Sequence, residues 1–200
     1  MAAPELGPWE PLTLPDTMTL FSGATYRWWI SGGLALELHL GQSWREHGDT
    51  DVGMARHDVA ALWSVLPGWD IHVAAAGRLQ PWTGGELRSE LHQNNLWCRR
   101  RQTVPWSLDI TIGEGDAATW IYRRDQRLRL PWQDAVLQTA DGIPYLAPEL
   151  QLLFKSEGRR DKDEVDAREV IPRLEPPRRD RLSRLLPADH PWHLHIEGTS

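Results

Sequence analysis

The spacing of apolar residues changes near residue 146 and divides the chain into two parts. Before this point, short apolar runs alternate with glycine, proline and aspartate, which is typical of short strands joined by turns. After it, Leu150 and Leu153 follow Pro148 at helical spacing, and proline is favoured in the first turn of a helix. The sequence therefore predicts an α/β (α+β) mixed-sheet core over residues 1–146 and a small C-terminal helical cap and tail over residues 147–200.

Local patterns predict short elements along both parts. Residues 34–40 fit a strand or a short helix equally well, because leucines alternate there while Gly41 ends the run. The proline-rich opening is predicted to be irregular, and the tail with His190, His193 and His195 to be a disordered end rather than a metal site. Strands are predicted at 26–31, 50–55, 69–74, 95–100, 106–112, 119–123 and 127–130, and helices at 57–66, from 148, from 161 and at 178–186.

Length and composition limit the class of protein. The 200 residues fit one domain, or one domain with a small appendage. No apolar run approaches the roughly 18 residues that span a bilayer, and the N-terminus lacks the pattern of a secretory signal. The single cysteine, Cys98, excludes an internal disulfide framework and is interpreted as a buried, inert thiol. These features predict a cytoplasmic protein without a membrane partner, and they leave a monomer and a homodimer both open.

Charge is distributed unevenly. A net charge of −6 argues against a bulk electrostatic attraction to nucleic acid. Arginines are nevertheless concentrated within residues 99–101 and 123–129. Side chains that point to solvent from alternate strand positions are the simpler interpretation, and a phosphate-binding track is the other.

Two aspartates, Asp49 and Asp51, stand two residues apart in a strand-like run. Alternation along a strand places both carboxylates on one face, with Thr50 and Val52 on the other. Two converging carboxylates repel each other unless a cation lies between them, and Mg²⁺ accepts one or two carboxylates together with water and phosphate. Solvated surface carboxylates are the competing interpretation.

Three further features favour a site. Gly32 and Gly33 follow a predicted strand, where bare backbone amides can bind phosphate. Asp109 lies within the apolar strand 106–112, either in a site or on a polar outer face. Arg45 precedes the aspartate pair, where a phosphate requires cations.

These features occur in a fixed order. The run reads Trp29-Ile30-Ser31-Gly32-Gly33-Leu34-Ala35-Leu36-Glu37-Leu38, then Gly41, then Arg45-Glu46-His47-Gly48-Asp49-Thr50-Asp51-Val52. It resembles the antibiotic nucleotidyltransferases of the polymerase-β superfamily, especially the aminoglycoside 2″-adenylyltransferases and the lincosamide nucleotidyltransferases. The pattern of those enzymes is a Gly-Gly turn, a short helix ending in Leu-Gly, and Arg-x-His-x-Asp-x-Asp before a hydrophobic residue.

The resemblance implies a polymerase-β-type nucleotidyltransferase fold and a reaction. AMP from ATP, or another nucleoside monophosphate, would pass to a hydroxyl of an aminoglycoside or lincosamide antibiotic, and pyrophosphate would leave. Asp49 and Asp51 would hold Mg²⁺, and Asp109 would complete the metal shell or act as the general base. Gly32 and Gly33, with Ser31 beside them, would bind the triphosphate.

Lys155 and Lys162 are the two lysines of the chain. Either could reach the nucleotide phosphates, as Arg45 could, because an ammonium is a mobile point charge. The alternative for Lys155 is an ion pair with Asp163, whose position lies in line with the apolar face of its helix.

Two other functions remain open from the sequence. The arginine stretches could direct the same transfer to tRNA or to a partner protein, in which case substrate binding would depend strongly on salt. A non-catalytic, antitoxin-like module that binds nucleotide is the other, although the presence of all three carboxylates argues against it.

Overall fold

A computed structural model describes residues 6–198. Ten strands of this part of the chain form one mixed sheet, in the order β4-β3-β5-β6-β2-β1-β10-β9, with β7 paired to β6 and β8 paired to β7. The strands are β1 Trp28–Ile30, β2 Asp51–Ala55, β3 Asp70–Ala75, β4 Arg78–Pro81, β5 Asn95–Arg99, β6 Leu108–Gly115, β7 Thr119–Ile121, β8 Arg129–Pro131, β9 Val136–Gln138 and β10 Pro144–Leu146.

The helices lie mainly at the two ends of the chain. They are α1 Leu14–Phe21, α2 Gly32–Leu40, α3 Leu62–Val65, α4 Trp132–Ala135, α5 Pro148–Ser156, α6 Asp161–Val170, α7 Pro176–Leu185 and α8 His193–Glu197, and short 3₁₀ turns cover Arg56–Ala61, Ser89–Leu91 and Ile171–Arg173. No helix within residues 6–198 combines the length and the apolar character that crossing a membrane requires.

Both faces of the sheet are covered near its centre. Successive residues of a strand point to opposite faces, and in β1 Trp29 and Ile30 belong to two different hydrophobic clusters. The cluster of Trp29 includes apolar residues of α5, α6 and α7, and the cluster of Ile30 includes Val52 and Ile110 of the neighbouring strands. The C-terminal helices therefore share a core with the sheet, and the boundary predicted after residue 146 falls between β10 and α5.

Direction of pairing determines which strand ends meet. β1 is antiparallel to β2, and β2 is parallel to β6. The end of β1 therefore lies beside the beginnings of β2 and β6. The Gly-Gly turn and the three aspartates lie where these strand ends meet.

The structure decides between the open alternatives for one element and differs from the prediction for others. Residues 34–40 belong to a helix, which Gly41 ends with a left-handed φ of 66°. The helix predicted at 57–66 is a 3₁₀ turn followed by the four residues of α3. The prediction that the opening of the chain is irregular was wrong over α1. The side chain of its cap residue Thr13 accepts a hydrogen bond from the backbone N–H of Asp16.

The prediction of a disordered tail was also wrong for the described residues. Trp192 is fully buried against the C-terminal helices, and its indole N–H donates to Glu164 at 3.0 Å. His190 contacts the backbone oxygen of Ser156 at 3.1 Å. The tail therefore packs into the core through Trp192.

Candidate active site

Asp51 and Asp109 are nearest neighbours across two parallel strands. Asp51, the first residue of β2, lies opposite Asp109 in β6. The backbone N–H of Ser31 donates to the backbone oxygen of Asp51 at 2.9 Å, which fixes the end of β1 at the same point. Asp49, Asp51 and Asp109 all line one cavity of about 350 Å³. The sequence predicted all three as a group, and the structure brings them together.

The three carboxylates oppose one another electrostatically. Burial and the charges of Asp109 and Asp49 raise the pKa of Asp51 to about 8. Burial also raises the pKa of Asp109 to about 6, and the charge of Asp49 raises it further. The hydrogen bond from Asn95, at 2.8 Å, acts in the opposite direction and lowers this pKa. A cation at this point would stabilise the ionised forms of both groups.

The two glycines make room for the site. Gly32 has a φ of +69°, and a Cβ there would collide with the carboxylate of Asp51. A Cβ at Gly33 would collide with the guanidinium of Arg45 and the ring of His47. The backbone N–H of Gly32 already donates to Oε1 of Gln151 on α5 at 2.9 Å. Gly32 therefore allows the Asp51 carboxylate to lie close to the backbone. Its N–H is already hydrogen-bonded to Gln151.

Ser31 and Gly33 lie at the beginning of α2. Ser31 occupies the cap position and is buried, and its Oγ lies 3.5 Å from the donating Oγ1 of Thr111. The first amides of a helix have no partner within the helix. Ser31 and Gly33 both line the cavity and therefore remain candidates for contact with an anion.

Arg45 lines the cavity but is held by a carboxylate. Its Nε and Nη2 donate to the two oxygens of Asp166 at 2.8 and 3.0 Å, and the indole N–H of Trp44 donates to the same carboxylate at 3.0 Å. Asp166 is fully buried on α6. These contacts anchor the loop that leads into Asp49.

The two lysines have different surroundings. Lys155 is only 6% exposed, and its Nζ lies 2.9 Å from Asp163 and 3.0 Å from Asp166. The ion pair with Asp163, which was the alternative to phosphate contact, is therefore present. Lys162 also lines the cavity, and no ion pair or hydrogen bond of its side chain is found within residues 6–198.

Comparison with known proteins identifies the fold. Residues 13–76, which include the Gly-Gly turn and the Asp49–Asp51 pair, match the family model of the aminoglycoside-2″-adenylyltransferases. The solved structure of the lincosamide antibiotic adenylyltransferase LnuA, bound to lincomycin, matches with a TM-score of 0.52 at 20% identity, over 78% of this chain and 95% of that one. The chain has the fold of that adenylyltransferase. The polymerase-β-type nucleotidyltransferase fold that the resemblance predicted is confirmed.

A second solved structure has the same fold. ANT(2″)-Ia in complex with adenylyl-2″-tobramycin matches with a TM-score of 0.50 at 15% identity, over 93% of this chain and 94% of that one. A search of curated protein sequences finds no significant match.

Sequence reasoning did not assign several residues that line the cavity. Arg123 lies over the ring of Phe154, 5.0 Å from its centroid, and Arg124 donates to the backbone oxygen of Phe154 at 2.8 Å. Arg160 and Gln151 line the cavity from the C-terminal part. The arginine content of residues 123–129 was the available signal, but nothing in the sequence separates Arg123 from Arg127, which pairs with Asp125 at the surface.

The donor set of this cavity fits Mg²⁺. Within the described residues, no three histidine, cysteine or acidic side chains already form a complete metal cluster. Mg²⁺ does not require one, because it takes one or two carboxylates and fills its shell with water and substrate phosphates. The pairing of Asp51 with Asp109 in one cavity favours a cation at this point, and burial together with the neighbouring carboxylates raises the pKa of Asp51 accordingly.

Proposed function

We propose that the chain transfers AMP from ATP, with Mg²⁺, to a hydroxyl of a small-molecule acceptor such as an aminoglycoside or lincosamide antibiotic, and releases pyrophosphate. The observation that carries the proposal is the register of Asp51 against Asp109, beside a glycine turn, in one cavity. The adenylyltransferases of similar fold, one bound to lincomycin and one to adenylyl-2″-tobramycin, support this acceptor class.

In this proposal Asp49 and Asp51 hold the metal. Bound Mg²⁺ would supply positive charge to the nucleotide phosphates and to the charge that develops during transfer. Asp51 must be ionised to hold it, so the raised pKa of Asp51 makes metal binding depend on pH near neutrality.

Asp109 is proposed as the general base, with metal contact as its alternative role. Its carboxylate accepts the proton of the acceptor hydroxyl while the hydroxyl oxygen bonds to the α-phosphorus, and the bond from that phosphorus to pyrophosphate breaks. A pKa near 6 leaves the carboxylate mostly ionised at neutral pH. The hydrogen bond from Asn95 holds Asp109 in place.

The triphosphate is proposed to lie against Ser31, Gly32 and Gly33, with Lys162 as the mobile cation. Because the N–H of Gly32 already donates to Gln151, Gly33 is favoured as the glycine whose N–H donates to a phosphate. Arg45 and Lys155 remain predicted phosphate ligands, but their pairing with Asp166 and Asp163 favours a role in positioning the neighbouring loop and helix.

The test is transfer of label from α-labelled ATP in the presence of Mg²⁺, with lincomycin, tobramycin and bulk tRNA offered as separate acceptors. We expect label on a small molecule and release of pyrophosphate, both abolished in Asp51→Asn and unchanged in Asp180→Asn, which alters an exposed aspartate. Label on tRNA would favour the nucleic-acid alternative. Binding of ATP without transfer to any acceptor, and without binding of Mg²⁺, would favour the non-catalytic module.

A further inference from the structure

A second cavity, of about 300 Å³, adjoins the proposed catalytic cavity. Asp109 and Asn95 line both. Since Nδ2 of Asn95 donates to Oδ1 of Asp109 at 2.8 Å, these two side chains form a shared wall. A group bound in the second cavity therefore has direct access to the proposed base. We call this space the Trp97 cavity, after its aromatic lining residue.

Register places the indole of Trp97 next to Asp109. Asp51 lies opposite Asp109, Asp109 opposite Trp97, and Trp97 opposite His72, in one row across four strands. Residues directly opposite one another project from the same face, and adjacent strands lie about 4.8 Å apart. Trp97 is therefore one strand further from the proposed metal ligands than Asp109 is. The ring of Trp9, with its centroid 4.9 Å away, packs edge-on against it.

Small residues keep the space beside Trp97 open. The hairpin between β3 and β4 contributes residues 74–77, which are three alanines and a glycine. Ala76 and Gly77 have φ values of 50° and 71°, as a two-residue hairpin turn requires. A larger side chain at Ala74, which shares the face of His72 in β3, would occupy the cavity.

The charge of the Trp97 cavity limits its ligand. Among the described residues that line it, Asp109 is the single carboxylate, and Arg78 is exposed beside it. A polycation would find one acidic group, already bonded to Asn95, and would be repelled by Arg78. An apolar ring or sugar face would instead pack against the indole.

We infer that the Trp97 cavity binds the acceptor, and that the acceptor is a hydroxyl compound with an apolar face and no more than one positive charge. The inference rests on the proposed function, because Asp109 must be the base. The acceptor packs against Trp97 and directs its hydroxyl across the shared wall to Asp109. Trp97 is then a specificity-determining residue, and the nucleotide occupies the other cavity.

Calorimetry on the full chain, with Mg²⁺ and a non-hydrolysable ATP analogue, tests the ligand class. The two ligands are lincomycin, which carries one amine and apolar substituents, and tobramycin, which carries several amines. We expect lincomycin to bind at least about tenfold more tightly. Tighter binding of tobramycin, or no binding of lincomycin, would overturn the inference. Loss of binding of the ATP analogue itself would instead count against the proposed function.

Variants test the place of binding. Trp97→Ala should weaken lincomycin binding by about tenfold, and Trp97→Phe by no more than about threefold. Because Trp97→Ala could disturb packing with Trp9, Ala74→Leu provides a second test by filling the cavity, and Ala60→Leu at an exposed position is its control. All four should bind the ATP analogue as the wild type does. Unchanged lincomycin binding in both Trp97→Ala and Ala74→Leu would disprove the site.

Discussion

The carboxylate of Asp166 accepts two hydrogen bonds from the guanidinium of Arg45, at 2.8 and 3.0 Å, although 121 residues separate them along the chain. One partner lies on α6 and the other in the loop before Asp49. A C-terminal helix thus controls the position of the loop that carries a proposed metal ligand.

Asp166→Asn should lower both stability and metal affinity. The change leaves Arg45 without its buried counter-charge and Lys155 with Asp163 as its remaining one, which costs about 3 kcal/mol of unfolding free energy. The half-saturating Mg²⁺ concentration should rise at a given ATP concentration. Urea unfolding and Mg²⁺ titration measure the two effects. Glu169→Gln is the control, since its pair with Arg173 is exposed and contributes no more than about 0.5 kcal/mol. Equal losses in both variants would contradict this account.

Without metal, the stability of the wild type should fall as pH rises from about 4 to about 8. Burial and the neighbouring Asp109 raise the folded-state pKa of Asp51 to about 8, so the folded state holds a proton that the unfolded state has lost. Asp51→Asn should remove most of the decline above pH 6, and the part due to Asp109 should remain. Thermal unfolding in EDTA at several pH values measures this, and added Mg²⁺ should restore the wild type at pH 8. A wild-type Tm that rises with pH would be the contrary result.

Gly32→Ala should damage the site far more than Gly48→Ala. At Gly32 an added Cβ meets the Asp51 carboxylate and the backbone has a left-handed φ, which costs about 1–2 kcal/mol before any collision. At Gly48, in the loop that leads to Asp49, nothing lies within 4 Å of an added Cβ. Binding of Mg²⁺ and ATP should be lost in the first variant and retained in the second. Retention in both would show that Gly32 is not needed for close approach.

Lys155→Met and Lys162→Met should separate structural from ligand-binding roles. Removal of Lys155 leaves two buried carboxylates with fewer partners and should cost about 3 kcal/mol in urea unfolding. Removal of Lys162 should change stability by less than about 0.5 kcal/mol and weaken binding of ATP. If Lys162→Met binds ATP as the wild type does, Lys162 is not the phosphate ligand.

Most of the proposed catalytic centre could be predicted from the sequence because residues 31–51 are close together along the chain. Ser31 to Asp51 span 21 residues. The alternation of apolar and polar residues within β2 and β6 is local, so it can be recognised from the sequence alone. The helix at Pro148 was predicted for the same reason, since proline and the leucine spacing act within one turn. The strand that carries Asp109 was recognised from its own alternation.

What the sequence could not provide is pairing between distant segments. The bond between Arg45 and Asp166 and the cavity position of Arg123 depend on how α5 and α6 pack, which no local pattern encodes. The short strands β4, β9 and β10 depend on a neighbour that supplies hydrogen bonds. The tail was misjudged because one tryptophan, Trp192, contributes more burial than its polar surroundings suggest.

The position of Trp192 has a consequence for synthesis of the protein. Domains begin to fold from the N-terminal end while the chain is being made. Trp192 belongs to the same cluster as Trp29 of β1, so that cluster stays incomplete until Trp192 has left the ribosome. Chains that end before Trp192 would expose apolar surface beside the α5–α7 helices and become targets of proteases.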